Sequence, residues 1–177
     1  MVETLKNTLN ANQNITPEVK ENLIELIELF NKKFPDVDLN NLNERLKTLK
    51  IKRASMFLVK LPCQYNPHAN EIMVNLGRFE QSDARHWMMH ALLGIITAKE
   101  NYYGFNNADD SLVALNEGYT EIITNYLVGD IEENFFFDEI VITNLISKAI
   151  GEDVLFDAYF SNDSKKVLEA MIEAEGK

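Results

Sequence analysis

Cysteine occurs once in the 177 residues, at Cys63. That excludes an internal disulfide and any zinc site built on several thiolates. Basic charge is scarce: 17 lysines and arginines stand against 28 aspartates and glutamates, a formal net charge of −11. Such a surface repels phosphate backbones and anionic headgroups, so the sequence predicts no nucleic-acid and no membrane partner. The acidity is spread along the chain, the pattern of a solvated surface. No apolar run reaches the roughly 18–20 residues that span a bilayer. The opening stretch MVETLKNTLNANQNITPEV has neither the apolar core nor the cleavage motif of a secretory leader. A cytoplasmic protein is the expectation. Internal repeats, low-complexity tracts and linkers are absent too, so one domain is expected over 1–177. It divides into an N-terminal helical part (1–50), a central part (51–130) and C-terminal helices (131–177).

What is present has helical periodicity for most of its length. In TPEVKENLIELIELFNKKF, residues 16–34, Thr16 and Pro17 supply a start, and Leu23, Ile24, Ile27, Phe30 and Phe34 recur at helical spacing. Leucines at 39, 42, 46 and 49 predict a second, shorter helix. The period then changes. KIKRASMFLVKLP is rich in β-formers, NEIMVNL alternates, and YNPHAN between them is turn chemistry, which predicts a β-hairpin over about 55–76 ended by Gly77. Ser82 or Asp83 caps a helix running to about residue 100, and Asp110 or Ser111 caps another that Gly129 ends. Helices at about 137–150, 152–160 and 163–174 complete the chain. The fold class is α+β: a mostly helical domain with a small antiparallel hairpin.

Chemistry concentrates in two helices. His86 and His90, in DARHWMMHALLGIIT, are four apart and share one face, about 40° from each other, so both rings can aim at one point. The next helix carries LNEGYTE, in which Glu117 and Glu121 are again four apart, and Glu117 follows His90 by 27 residues. The loop between them lets the two helices pair and bring Glu117 to the histidines. The result is a His₂Glu set with a fourth position open to water or substrate. Glu121, one turn on, can accept a hydrogen bond from the outer nitrogen of a ligating histidine. Asn116 and Gly118 are poor helix formers in mid-helix, and Gly118 permits close approach of another backbone or a ligand.

H-x-x-x-H followed by N-E-G-Y-T-E resembles the gluzincin, or thermolysin-like, group of zinc metallopeptidases. In that group a helix H-E-x-x-H supplies two metal ligands and a helix N-E-x-x-[ST]-[DE] supplies the third. The extended NEIMVNL resembles the edge strand over their cleft, and Gly104–Phe105 is similar to compact bacterial members. The resemblance covers about residues 70–130. It implies a zincin-like fold with the hairpin packed on the active-site helix, and zinc held by His86, His90 and Glu117. It also implies supporting roles for Glu121 and Asn116, and Tyr119 and Tyr103 at the cleft. The remaining distinctive residues read as structural: His68 as an exposed turn residue, Cys63 as an inert side chain, and FFFD at 135–138 as a hydrophobic anchor at a helix start.

The departure is Trp87. In gluzincins the glutamate at that position takes a proton from the metal-bound water and passes it to the leaving amine. Indole offers one N–H donor and no base. Residue 87 lies about 100° from 86 and about 60° from 90 on the helix, so Trp87 is expected to face the cleft and cover the histidines. The expectation is therefore a pseudo-peptidase: a binding or regulatory module, with or without zinc, that takes a peptide or protein in the old cleft. Two alternatives stand beside it. One is an active zinc metallopeptidase or amide hydrolase whose base is displaced to Glu80 or Glu100. The other is a structural or interaction protein with an empty site. Nothing in the sequence bears on oligomeric state.

Overall fold

Helix α5, Ala84–Thr97, is the axis around which the other elements are arranged, because twelve of its fourteen residues are buried. The structure is a computed structural model that describes residues 1–55, 61–108, 111–129 and 135–176. Ahead of α5 come α1 (Val2–Ala11), α2 (Pro17–Lys33), α3 (Asn40–Leu46), β1 (Lys50–Arg53), β2 (Cys63–Asn66), β3 (Glu71–Val74) and α4 (Leu76–Phe79). After it come α6 (Val113–Val128), α7 (Phe137–Ile150), α8 (Glu152–Ser161) and α9 (Ser164–Glu175). Among the described residues no helix is long and apolar enough to cross a membrane.

The N-terminal helices form a lid of amphipathic elements on α5. Pro17 opens α2, where its missing N–H costs nothing, and Leu23, Leu26, Ile27 and Phe30 form the buried stripe. Thr16 holds the N-cap position without a side-chain capping bond. α1 buries Leu5 and Leu9 against α2 and α3. Asn12, just past its end, donates to the carbonyls of Leu46 and Leu49 at 2.8 and 2.9 Å, satisfying the end of α3.

The sheet is mixed, not purely antiparallel. Its order is β1-β3-β2, with β3 pairing antiparallel to β2 (Tyr65 opposite Ile72) and parallel to β1 (Ile51 opposite Ile72). The expected hairpin is the β2–β3 pair. Its turn is held by the Asn66 side chain, which accepts from the amides of His68 and Ala69, and by Asn70 at φ 51. Residues 56–60 of the expected first strand lie outside the described residues. The hairpin ends at Val74, and Gly77 falls within the short helix α4. His68 is exposed, as its turn position requires. β2 packs directly on α5.

The rest is helical packing. α6 lies against α5 on one side and α7 on the other. The α6–α7 approach is close enough that a Cβ on Gly118 would sit 2.3 Å from the Glu139 carbonyl oxygen and 2.4 Å from Thr143 Oγ1. This accounts for a glycine in mid-helix. Gly129 at φ 94 and Gly151 at φ 98 end α6 and α7 in backbone that other residues rarely adopt. Leu112 holds the N-cap position of α6 without a side-chain cap, and Ser111 precedes it. Asp110 lies outside the described residues.

Candidate functional site

Asp83 fixes the start of α5 by accepting from the amides of Arg85 and His86 at 2.9 and 3.1 Å. One turn later the helix carries His86, Trp87 and His90 into the interior, where they are 0%, 0% and 6% exposed. The pairing of α5 with α6 brings Glu117 and Glu121 to the two histidines. His86 Nε2 lies 3.0 Å from Glu121 Oε1 and 3.1 Å from Glu121 Oε2. His90 Nε2 lies 3.7 Å from Glu117 Oε2 and 3.9 Å from Glu121 Oε2, too far for a hydrogen bond to either.

Glu121 does contact one of the two histidines. Glu121 takes the Nε2 of His86. His86 Nδ1 has no hydrogen-bond partner among the described residues, and neither do His90 Nε2 and Trp87 Nε1. Leaving a buried donor or acceptor unmet costs about 1–3 kcal/mol each.

Glu117 is held by its neighbours on the other side. Tyr103 donates its hydroxyl to Glu117 Oε1 at 3.3 Å, and Asn116 Nδ2 donates to the same oxygen at 3.4 Å. The loop that delivers Tyr103 is pinned to α6. The Phe105 amide donates to Asn116 Oδ1 at 2.9 Å, and the Gly104 amide donates to Thr97 Oγ1 at 3.0 Å. Gly104 has φ +57, and a Cβ there would lie 2.0 Å from Asn116 Oδ1, so both backbone and space demand glycine. Tyr119 is not part of this cluster. Its hydroxyl donates to Glu152 Oε1 at 2.9 Å and its ring packs on Phe105 and Tyr159. Two residues along a helix turn it about 200° away from Glu117.

Trp87 sits inside a shell of rings rather than lining an open cleft. Its centroid is 5.6 Å from that of His86, 5.7 Å from His90 and 5.3 Å from Phe135. Phe136 stacks on His90 at 5.4 Å with an interplanar angle of 11°. These two phenylalanines, leading into α7, are the contributors to the site that sequence reasoning missed. FFFD announced an anchor, but periodicity does not say what the anchor covers. Cavities of about 510, 400 and 650 Å³ include none of His86, His90, Glu117 and Glu121, and the last of them is bordered by the outer side of Phe135. The displaced-base candidates Glu80 and Glu100 are both exposed.

Burial dominates the electrostatics. It lowers His90 to about 3, helped by nearby His86, so its imidazole is neutral at physiological pH. Burial raises the Glu117 carboxyl to about 7 against the hydrogen bonds from Asn116 and Tyr103, while Glu139 and Glu121 add to the rise. The Tyr103 hydroxyl is pushed well above its ordinary value, first by burial and then by the Glu117 carboxylate, so it remains a donor. The donor types suit zinc: two imidazoles, one of them neutral with a free Nε2, and carboxylates. As placed, no three His, Cys, Asp or Glu side chains among the described residues could hold a metal ion. The site as it stands is a buried polar cluster under an aromatic cover.

Family models, curated proteins and solved structures provide no match for this chain.

Proposed function

We propose that this chain is a gluzincin-like domain without peptidase activity, acting as a binding or regulatory module for a peptide or protein. The observation that carries the loss of activity is Trp87, fully buried at the position where the general base would stand. Indole cannot accept the water's proton. Loss of general acid–base help is worth about 10²–10⁴ in rate, or roughly 3–5 kcal/mol of barrier. The cover of Phe135 and Phe136 adds to this, since an attacking water and a peptide carbonyl both need the volume that the rings fill. An active enzyme with a base displaced to Glu80 or Glu100 finds no support, because both side chains are exposed while His86 is fully buried. A lone, buried thiol fits the cytoplasm, where we place the protein.

The test is hydrolysis of a mixed peptide library by the wild type and by Trp87→Glu, each with added zinc and with chelator. The wild type is expected to be inactive in both conditions, and chelator-sensitive turnover by it would sink the proposal. Turnover gained by Trp87→Glu would add support. That variant leaves a void where the indole packed, at a cost of about 3–5 kcal/mol, so its fold is checked by circular dichroism first.

A second reading, zinc held by His86, His90 and Glu117, is favoured by one observation. His90 Nε2 is buried, unpartnered and directed between two carboxylates. Zinc entry would require the His86–Glu121 pair to open, whereas His90 Nε2 and Glu117 Oε2, 3.7 Å apart, already stand near the edge length of about 3.4 Å that a tetrahedral zinc site requires. Calorimetric titration of metal-free protein should then give about one equivalent of zinc, lost in His90→Ala. No binding in the wild type leaves the structural alternative, a cluster that holds no ion.

A further inference from the structure

The end of α2, the turn after it and α8 border a cavity of about 510 Å³ that shares no residue with the histidine cluster. Its apolar lining is mainly aromatic. Phe34, Phe156 and Phe160 lie with ring centroids 5.6, 6.0 and 4.7 Å apart and interplanar angles of 45°, 44° and 55°. All three are partly buried and border the cavity. Phe30, fully buried, packs on Phe34 and Phe160 at 5.2 and 5.7 Å and ties the rings to the core.

The same two segments set carboxylates around those rings. Asp36, Asp38 and Asp157 border the cavity and are exposed, against Lys33 as the one bordering cation among the described residues. Asp157 is paired with Lys166. Asp36 and Asp38 take part in no ion pair among the described residues, and Asp38 Oδ1 is steadied by the Asn40 amide at 2.9 Å. Lys33 itself shows a cation settling on these rings. Its ammonium stands 5.1 Å from the centroid of Tyr126, a ring that lies 5.9 Å from Phe34. Aromatic faces attract a cation through their quadrupole, and carboxylates beside them accept its hydrogen bonds. A guanidinium uses both at once, because its plane stacks on a ring while its fork of N–H groups meets a carboxylate. An ammonium is a more strongly hydrated point charge. The aspartates repel phosphates. The volume falls in the range that takes a ligand of several residues' bulk rather than a lone cation. The net charge of −11 draws in a basic partner.

We infer that this cavity takes an arginine side chain presented by a basic segment of a partner protein, with the guanidinium against the phenylalanines and hydrogen-bonded to Asp36 or Asp38. The inference rests on the peptide-binding part of the reading above and gives that peptide a place and a charge. It does not rest on the peptidase resemblance. Hydrolysis assays read the histidine cluster and binding assays read this cavity, so either can fail alone.

Nuclear magnetic resonance titration of the isotope-labelled full chain reads both affinity and place. The probes are short, end-capped glycine–serine peptides carrying a pair of arginines, of lysines or of glutamates. The arginine peptide should shift the amides of residues 34–38 and 156–161, with a Kd of roughly 0.1 mM. The lysine peptide should bind about 3- to 10-fold more weakly, and the glutamate peptide should not bind. Phe156→Leu keeps an apolar side chain but removes a ring face, and should weaken arginine-peptide binding by about 3- to 10-fold. Asp36→Asn with Asp38→Asn, at exposed positions where folding is undisturbed, should weaken it by about 10-fold or more. Glu18→Gln with Glu21→Gln removes the same charge from exposed positions near the start of α2 and should change the Kd by less than about 2-fold. No binding at millimolar peptide, shifts confined to other residues, or equal losses in the two double variants would each overturn the site. Equal affinity for the lysine peptide would overturn the guanidinium. N-acetylarginine amide bound as tightly as the peptide would overturn the protein partner and leave a small guanidinium compound in its place.

Discussion

Gly118 and Glu117 are adjacent in sequence and serve opposite neighbours. Gly118 faces α7 at a distance no Cβ tolerates, so Gly118→Ala should push the two helices apart and cost about 1–3 kcal/mol in urea-induced unfolding. Glu117 faces the histidines, and with His90 it sets a pH dependence in metal-free protein. The folded chain keeps a proton on Glu117, raised from 4.5 to about 7, that the unfolded chain has lost. Stability therefore falls as pH rises from about 4.5 through about 7. For His90, lowered from 6.5 to about 3, the unfolded chain binds the extra proton. Stability therefore falls as pH drops from about 6.5 through about 3. The two slopes oppose each other between about 4.5 and 6.5. Glu117→Gln removes the first, so its stability should climb across the whole span from about 3 to 6.5, where the wild type flattens above about 4.5. Unfolding at a series of pH values reads the difference, and parallel curves would contradict the assignment. At this scale much of the site could be read from spacing. His86, His90, Glu117 and Glu121 meet because four-residue spacing on two paired helices leaves them little choice. Tyr119 lies away from the cluster because two residues along the helix turn it about 200° from Glu117, towards Glu152. Phe136 escaped because its contact with His90 spans a large sequence separation.

Elements with strong local signals were legible, and those made by distant partners were not. α2 carries a one-sided apolar stripe, α5 a continuous apolar run, and of the two caps that the sequence offers for α5, Ser82 and Asp83, the structure uses Asp83. Replacing it with alanine should cost about 1 kcal/mol, measured as a shift in the unfolding midpoint with an unchanged urea slope. A change within ~0.2 kcal/mol of zero would show that the cap does not hold the start of α5. α1 was not anticipated, because its buried face is only Leu5 and Leu9, and two residues make a faint stripe. β1 was not recognised as a separate strand. Of its four residues only Ile51 is partly buried, and its partner β3 runs parallel to it, a pairing that no local turn announces. The mixed character of the sheet was lost for the same reason.

For the whole molecule, periodicity indicates the class, α+β and mostly helical, but it does not reveal that the expected cleft is shut. Openness depends on what lies over α5. That is decided by Phe135 and Phe136, which reach Trp87 and His90 from the start of α7. Closure of this site is the central claim, and the chain provides its own probe because Trp87 is the single tryptophan. The direct measurement is quenching of its fluorescence by iodide and by acrylamide, in native protein and in urea. A sealed indole should emit at short wavelength and resist both quenchers until the protein unfolds. Native emission quenched as readily as in urea would mean that solvent reaches Trp87, and would contradict the closed site.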